Sequence, residues 1–252
     1  MKSKKWFIFE GKKQTIFLTL QINPILIKMT HLEKKQYLQS KLSEININDC
    51  HFNFIPYLDE SKWNFQKPNK IGKRLYAFYS IVYLIENPED KEKLISWLKR
   101  ETIWDELAES EKYIFGDVSL SEEKIGEWYW AIERASILAW VLGFYDNDLD
   151  PNEPIEFDEI HEKIPKIGES LKDFLAKLEF IEIDKQKIFL ENIFNELITS
   201  TLRDISFGLK KPIPKCDAYV SFERHKTLNW IRNYGHSKEN RIIEWDDVAT
   251  ET

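Results

Sequence analysis

The sequence predicts an all-α protein, a single irregular helical bundle from about residue 30, with a short β-hairpin or a loose extension over residues 1–29. Three observations carry this. Glycine and proline are scarce, 8 and 9 in 252 residues, about 7% against roughly 12% in an average chain, so connections are few and helices long. Helix-start signals recur, each a Ser, Thr, Asp or Asn ahead of an apolar run. Within those runs the apolar residues fall at spacings of three and four.

Residues 1–28 carry six Lys and one Glu. Two β-leaning runs, Trp6–Phe9 and Thr15–Ile22, flank the Gly-containing stretch Glu10–Gln14, which suits a hairpin. A start at Met29 is the other reading, with residues 1–28 a loose extension. Thr30-His31-Leu32-Glu33 is a capping box, hydroxyl and carboxylate satisfying the free amides of a first turn; the helix runs to about Glu44. Residues 45–68 read as irregular. Asn69 is placed to cap a helix through about Glu86, with Ile71, Leu75, Phe78, Val82 and Ile85 in register. Asn87-Pro88-Glu89-Asp90 supplies a cap, an N1 proline and an acidic first turn for a helix carrying Leu94, Ile95, Trp97 and Leu98, extended here to Leu107.

Ser119-Leu120-Ser121-Glu122 is a second capping box. The helix it opens spans Ser121 to Leu142 and closes at Gly143. Ile125, Trp128, Tyr129, Ile132, Ser136, Ala139, Val141 and Leu142 give it so broad an apolar face that it belongs at the centre of a bundle. Asp184 opens the next long helix, to about Phe207, with Gly208 after it. Asp217 opens the last, ending at Gly235, with Val220, Thr227, Leu228 and Ile231 inward.

Composition excludes several function classes. The net charge of −7 and pI near 5.4 argue against nucleic acid as a partner. The two cysteines, Cys50 and Cys216, are too far apart in sequence for a Cys-x-x-Cys zinc or redox motif, which suits a reducing, cytoplasmic setting. The N-terminal apolar run is broken by Glu10–Gln14, so no secretory leader is expected, and no stretch of 18 apolar residues exists to cross a membrane. No two glycines stand closer than ten positions, which removes GxGxxG, the P-loop and GxSxG together. His161-Glu162-Lys163-Ile164-Pro165 has proline where a zincin helix needs its second histidine. No cofactor and no metal site are expected.

Asp146-Asn147-Asp148-Leu149-Asp150 begins like a calcium loop, but Pro151 and Phe157 stand where an EF-hand needs Gly and Glu; it reads as an acidic, solvated loop. The other chemistry-bearing residues are charged steps on long helices: Glu133-Arg134 on the central one, Arg203-Asp204 on the next, Glu223-Arg224-His225 on the last. Brought together, they form a polar cluster. An Arg-rich cluster clamps a carboxylate or phosphate, and a Glu–His pair does acid–base work near neutrality. The favoured reading is plainer, an ion-pair network that fixes helix register. Trp230 lies on the inner face of the last helix. Trp245, with Asp246 and Asp247, reads as an anchor that docks the C-terminal segment, its carboxylates meeting Arg224, Arg232 or Arg241.

Phe222–Ile231 (FERHKTLNWI) followed by Trp245–Thr252 (WDDVATET) resembles the closing signature of the DUF4272 family, roughly ERHxALNWL, a spacer, then WDxVxTDT. Trp128, Glu133, Ala139-Trp140 and Leu142-Gly143 are similar to its central WxxEAxxxLxWALG helix. Thr201–Asp204 falls at an arginine-bearing helix of the family, and Ile71–Ala77 resembles an early EIAxRxxAL segment. The likeness covers about residues 36–252; Lys226-Thr227, Glu251 and a long spacer depart from it, and residues 1–28 have no counterpart. It implies a mostly helical cytoplasmic domain and no particular activity. The expected function is therefore a non-enzymatic binding or interaction module with a protein or small-molecule partner. The alternatives are a small-ligand receptor or enzyme using an Arg/Glu/His pocket, and an antitoxin-like inhibitor of a basic protein, suited by the acidic stretch Asp146–Glu162. Convergent side chains with unpaired donors favour the pocket; fully mutual salt bridges favour the structural reading.

Overall fold

Thr30 opens the first described helix as the sequence expects: its hydroxyl accepts from Glu33 N while the Glu33 carboxylate accepts from Thr30 N. The computed structural model describes residues 28–49, 59–116, 121–209, 213–235 and 243–250. The expected hairpin, Cys50, the Ser119 box and Arg241 lie outside them. In chain order the helices are α1 His31–Glu44, α2 Pro68–Glu86, α3 Lys91–Arg100, α4 Glu109–Lys112, α5 Glu122–Tyr129, α6 Ala131–Val141, α7 Asp158–His161, α8 Lys172–Leu178, α9 Lys185–Ser206 and α10 Ala218–Ile231. The described residues contain no strand, only an isolated bridge between Gly235 and Val248, so the fold is all-α. None of these helices is long and apolar enough to cross a membrane.

Several boundaries differ from the sequence reading, each for a local reason. α2 starts at Pro68, a proline at N1, and Asn69 instead donates to Glu179 across to α8 at 3.5 Å. α3 stops before Leu107 because Thr102 takes φ +58°, turning Ile103 and Leu107 into the core. The long central helix is two helices, divided at Trp130. α5 has no buried residue, whereas α6 is buried almost throughout; the break lets a surface helix hand over to a central one. Ser121 caps α5, accepting from Lys124 N at 3.3 Å. Asp184 and Asp217 cap α9 and α10 as expected. α10 ends at Ile231, short of Gly235, because Asn233 takes the left-handed turn at φ +55°. Gly235 serves a close approach instead, since a Cβ there would collide with the Asp247 carbonyl of the docked C-terminal segment.

α2 packs on α6, α6 on α10, α10 on α9, and α9 on α1. Two apolar clusters result. The larger joins α2, α3, α6, α10 and the loop at Leu149–Ile164, and contains Phe78, Trp140, Trp230 and Trp245. The smaller, Leu38, Leu42, Phe189, Leu190, Ile193 and Phe194 among others, seals α1 to α9. The two meet along α9.

Candidate functional site

Neighbouring residues on an α-helix point about 100° apart, so Glu133-Arg134 and Glu223-Arg224 cannot pair as one four-membered knot. They cross instead. Arg224 Nε donates to Glu133 Oε1 at 2.6 Å on one side of the α6–α10 contact. On the other, Arg134 Nε and Nη2 donate to the two oxygens of Glu223 at 2.6 and 2.9 Å. The first pair also clamps the loop after α6. Arg224 donates to the carbonyls of Asp150 and Glu153, at 2.7 and 2.9 Å, and Glu133 Oε2 accepts from Ile155 N at 2.8 Å. Glu133 is wholly buried and Arg224 is 1% exposed.

The second pair faces Trp245. That indole is 3% exposed, with Phe78 edge-on at 4.7 Å and the cations of Lys226, Arg74 and Arg134 at 4.6, 5.0 and 5.5 Å from its centroid. Burial lowers the Lys226 pKa, and Arg134 adds to the effect. Arg74 forms a third buried pair, Nη1 and Nη2 to Glu111 at 2.8 and 2.5 Å, and also donates to the Glu106 carbonyl. The sequence reading missed it. The signal was there: Arg74 stands at i+3 from Ile71 and i−4 from Phe78, on the apolar stripe of α2, where an arginine needs a buried acid.

His225 sits on the α9 side of α10. Asn229 Nδ2 lies 2.9 Å from its Nε2, and Thr199 Oγ1 lies 3.1 Å from its Nδ1. Since the Thr199 hydroxyl already donates to carbonyls of its own helix, this pattern assigns the proton to Nδ1 and a neutral ring. Burial, then Arg232, pushes the His225 pKa down to about 4. Asn229 also donates to the Ala249 carbonyl at 2.8 Å and accepts from Asn192 at 3.0 Å. Glu223 and His225 thus have separate partners and do not form an acid–base pair.

The remaining expected cluster members lie apart. The buried face of α9 ends at Thr201, so Arg203 is exposed and Asp204 stays with it outside the cluster. Trp230 is 1% exposed in the apolar core, as its spacing implied. The C-terminal segment docks, but its carboxylates do not meet Arg224 or Arg232. Burial of Trp245 turns Asp246 toward α4, where it accepts from Ser110 Oγ at 2.6 Å and Ser110 N at 3.3 Å. Asp247 is exposed. Arg224 is held by Glu133, and Arg232 lies 3.9 Å from Glu196.

The unexpected feature is a cavity of about 230 Å³ where the two apolar clusters meet, between α1, α6, the start of α9 and Leu149. Met29, Tyr37, Leu149 and Leu190 form apolar walls, and Lys41, Lys187, Gln186 and Glu191 bring polar groups. Trp140, 4% exposed, lines it; its Nε1 is buried and has no hydrogen-bond partner among the described residues. Burial raises the pKa of Glu191, which accepts from Asn195 Nδ2 at 2.7 Å. Burial works against the charge of Lys41, but Glu191, Tyr37 and Asp148 outweigh it and hold the ammonium pKa above its usual value. A second cleft of about 430 Å³ shares Lys41, Asp148 and Leu149 and runs along the 148–152 loop. There Asp150 accepts from Asn152 N and Nδ2, at 2.8 and 3.0 Å, forming a turn. Among the described residues no three His, Cys, Asp or Glu side chains are grouped to hold a metal.

Fold and geometry together define an all-α domain whose motif charges pair internally and whose helices leave a small mixed-polarity cavity at a core seam. The model of one family, described as Domain of unknown function (DUF4272), matches residues 34–248, and the chain belongs to that family. No curated protein and no solved structure matches the chain.

Proposed function

We propose that this protein is a non-enzymatic, cytoplasmic binding module and that its ligand site is the cavity at Trp140, not the charged cluster of the C-terminal motifs. The observation that carries the reading is the cavity itself, about 230 Å³ at the meeting of the two apolar clusters with polar and apolar groups on its walls. The cluster offers no such opening: Glu133, Arg134, Glu223 and Arg224 bond to each other and to backbone. A cavity near 150 Å³ admits benzene, so about 230 Å³ suits a ring with a short polar arm.

Thermal-shift screening of the full chain against small acids, amides, amines and heteroaromatics tests this. Hits should raise the melting temperature of the wild type and lose that effect in Leu149→Phe, which puts a larger side chain on the cavity wall. A screen without hits, or hits that stabilise the variant equally, would contradict the reading.

A further inference from the structure

We propose that the end of α9 is a membrane-docking tip: Phe207, Leu209 and Ile213 enter the apolar layer of an anionic lipid surface, and the basic residues around them meet its headgroups. The buried face of α9 stops at Thr201, and the helix runs on to Ser206. Beyond it Phe207 is 77% exposed, Leu209 55% and Ile213 76%. Gly208 turns the chain at φ +79°, and a Cβ there would meet no atom within 4 Å, so the tip is convex and projects from the bundle. The turn is firmly made. Leu209 N donates to the Asp204 carbonyl at 3.1 Å and Gly208 N to that of Ile205 at 2.9 Å, the paired bonds of a Schellman turn. The returning chain is tied down at its base, where Pro214 is buried and Lys215 N donates to the Ile45 carbonyl at 2.9 Å.

The fold does not need these side chains. A Schellman turn commonly packs its last residue on the helix residue whose carbonyl it bonds, or on the one before. Here those are Asp204 and Arg203, so Leu209 has no apolar partner in the turn and stays exposed. Apolar residues scattered singly over a surface are ordinary, whereas a group of them marks an interaction surface; this one has three within seven positions. Charge selects the occupant. Residues 203–215 hold Arg203, Lys210, Lys211 and Lys215 against Asp204, four positive charges against one negative, on a chain whose net charge is −7. Lys210 and Lys211 lie outside the described residues and enter by their charge alone. Glu44 and Asp217 stand at the base of the loop, next in sequence to Ile45 and Cys216, not at its tip. Apolar side chains among lysines fit a surface that is negative outside and apolar beneath, which is an anionic bilayer. A convex tip enters that deformable phase without needing a matching groove. The contact is with one leaflet: none of the described helices is long and apolar enough to cross.

Co-sedimentation of the full chain with lipid vesicles tests this. The chain should pellet with vesicles of equimolar phosphatidylserine and phosphatidylcholine, and at least about tenfold more weakly with phosphatidylcholine alone. Added salt should reduce the difference. The triple variant Phe207→Ser/Leu209→Ser/Ile213→Ser should lose about a hundredfold in affinity and keep the wild-type melting temperature, because all three side chains are exposed. Lys210→Gln and Lys211→Gln should each weaken binding to the anionic vesicles about fivefold. Absence of pelleting with either vesicle overturns the proposal. So does pelleting that survives in the triple variant, which would place lipid contact elsewhere on the chain. Self-association that the triple variant abolishes, without lipid binding, would give the tip to a second copy and overturn the membrane reading as well. The cavity reading stands or falls separately, on the thermal-shift screen.

Discussion

Glu133→Gln is the sharpest test of the cluster's structural role. The substitution keeps the shape of the side chain and removes its charge. Glu133 is 0% exposed, with one oxygen at 2.6 Å from Arg224 Nε and the other at 2.8 Å from Ile155 N. The variant leaves Arg224, 1% exposed, as a buried cation without its directly bonded carboxylate, held by neutral oxygens of the Asp150 and Glu153 carbonyls. Breaking one side of a buried pair costs about 3–5 kcal/mol. The double variant Glu133→Met/Arg224→Met removes both charges and fills the space with apolar atoms, so the ion pair itself contributes little to its cost. It still loses three bonds to loop backbone, each about 1 kcal/mol, and should cost about 3 kcal/mol in total. The double variant should therefore be no less stable than the single. Urea denaturation followed by circular dichroism measures both. A single variant within about 0.5 kcal/mol of wild type, the range of neutral surface changes, would refute the argument that this pair is desolvated and holds the loop.

Three further outcomes follow from the same geometry. Trp230→Ala should cost about 3–5 kcal/mol, as large buried aromatics do, read from the same denaturation curves; a change under 1 kcal/mol would mean the residue is not core. Gly235→Ala should expel residues 243–250, because the new Cβ meets the Asp247 carbonyl and Ile243; their amides should exchange like those of an unstructured peptide, and unchanged protection would show that the contact yields. His225 is neutral in the folded state with a pKa near 4, against 6.5 unfolded. The unfolded chain therefore binds the extra proton between those values, so the stability His225 contributes is complete above pH 6.5 and is lost as pH falls toward 4. At 1.36 kcal/mol per pH unit the loss is about 3 kcal/mol; His225→Gln should flatten that part of the stability–pH curve, and an unchanged slope would contradict the assignment.

What the sequence revealed was mostly local. Thr30, Asp184 and Asp217 act within three or four residues of themselves, so their caps were legible before any tertiary structure. The division at Trp130 was not, because it depends on where the next layer of the bundle lies. The docking of Trp245 was readable from an aromatic in a polar tail, but the partner of Asp246 was not, since Ser110 enters from a four-residue helix with no periodicity to announce it. The crossed pairing of Glu133 and Glu223 needed the contact between α6 and α10. Arg74 was visible as a charge on an apolar stripe and was passed over. The cavity was beyond reach: Lys41, Trp140 and Lys187 stand on three helices, and nothing in their spacing brings them together.

The C-terminal cluster holds the fold, and the cavity at Trp140 is the proposed ligand site. Indole N–H resonances of the ¹⁵N-labelled full chain test both at once, with the Trp140 and Trp245 signals assigned by their loss in Trp140→Phe and Trp245→Phe. An added hit from the thermal-shift screen should shift the Trp140 signal and leave that of Trp245 in place. A shift of the Trp245 signal with Trp140 unmoved would put the ligand at the charged cluster and contradict the account.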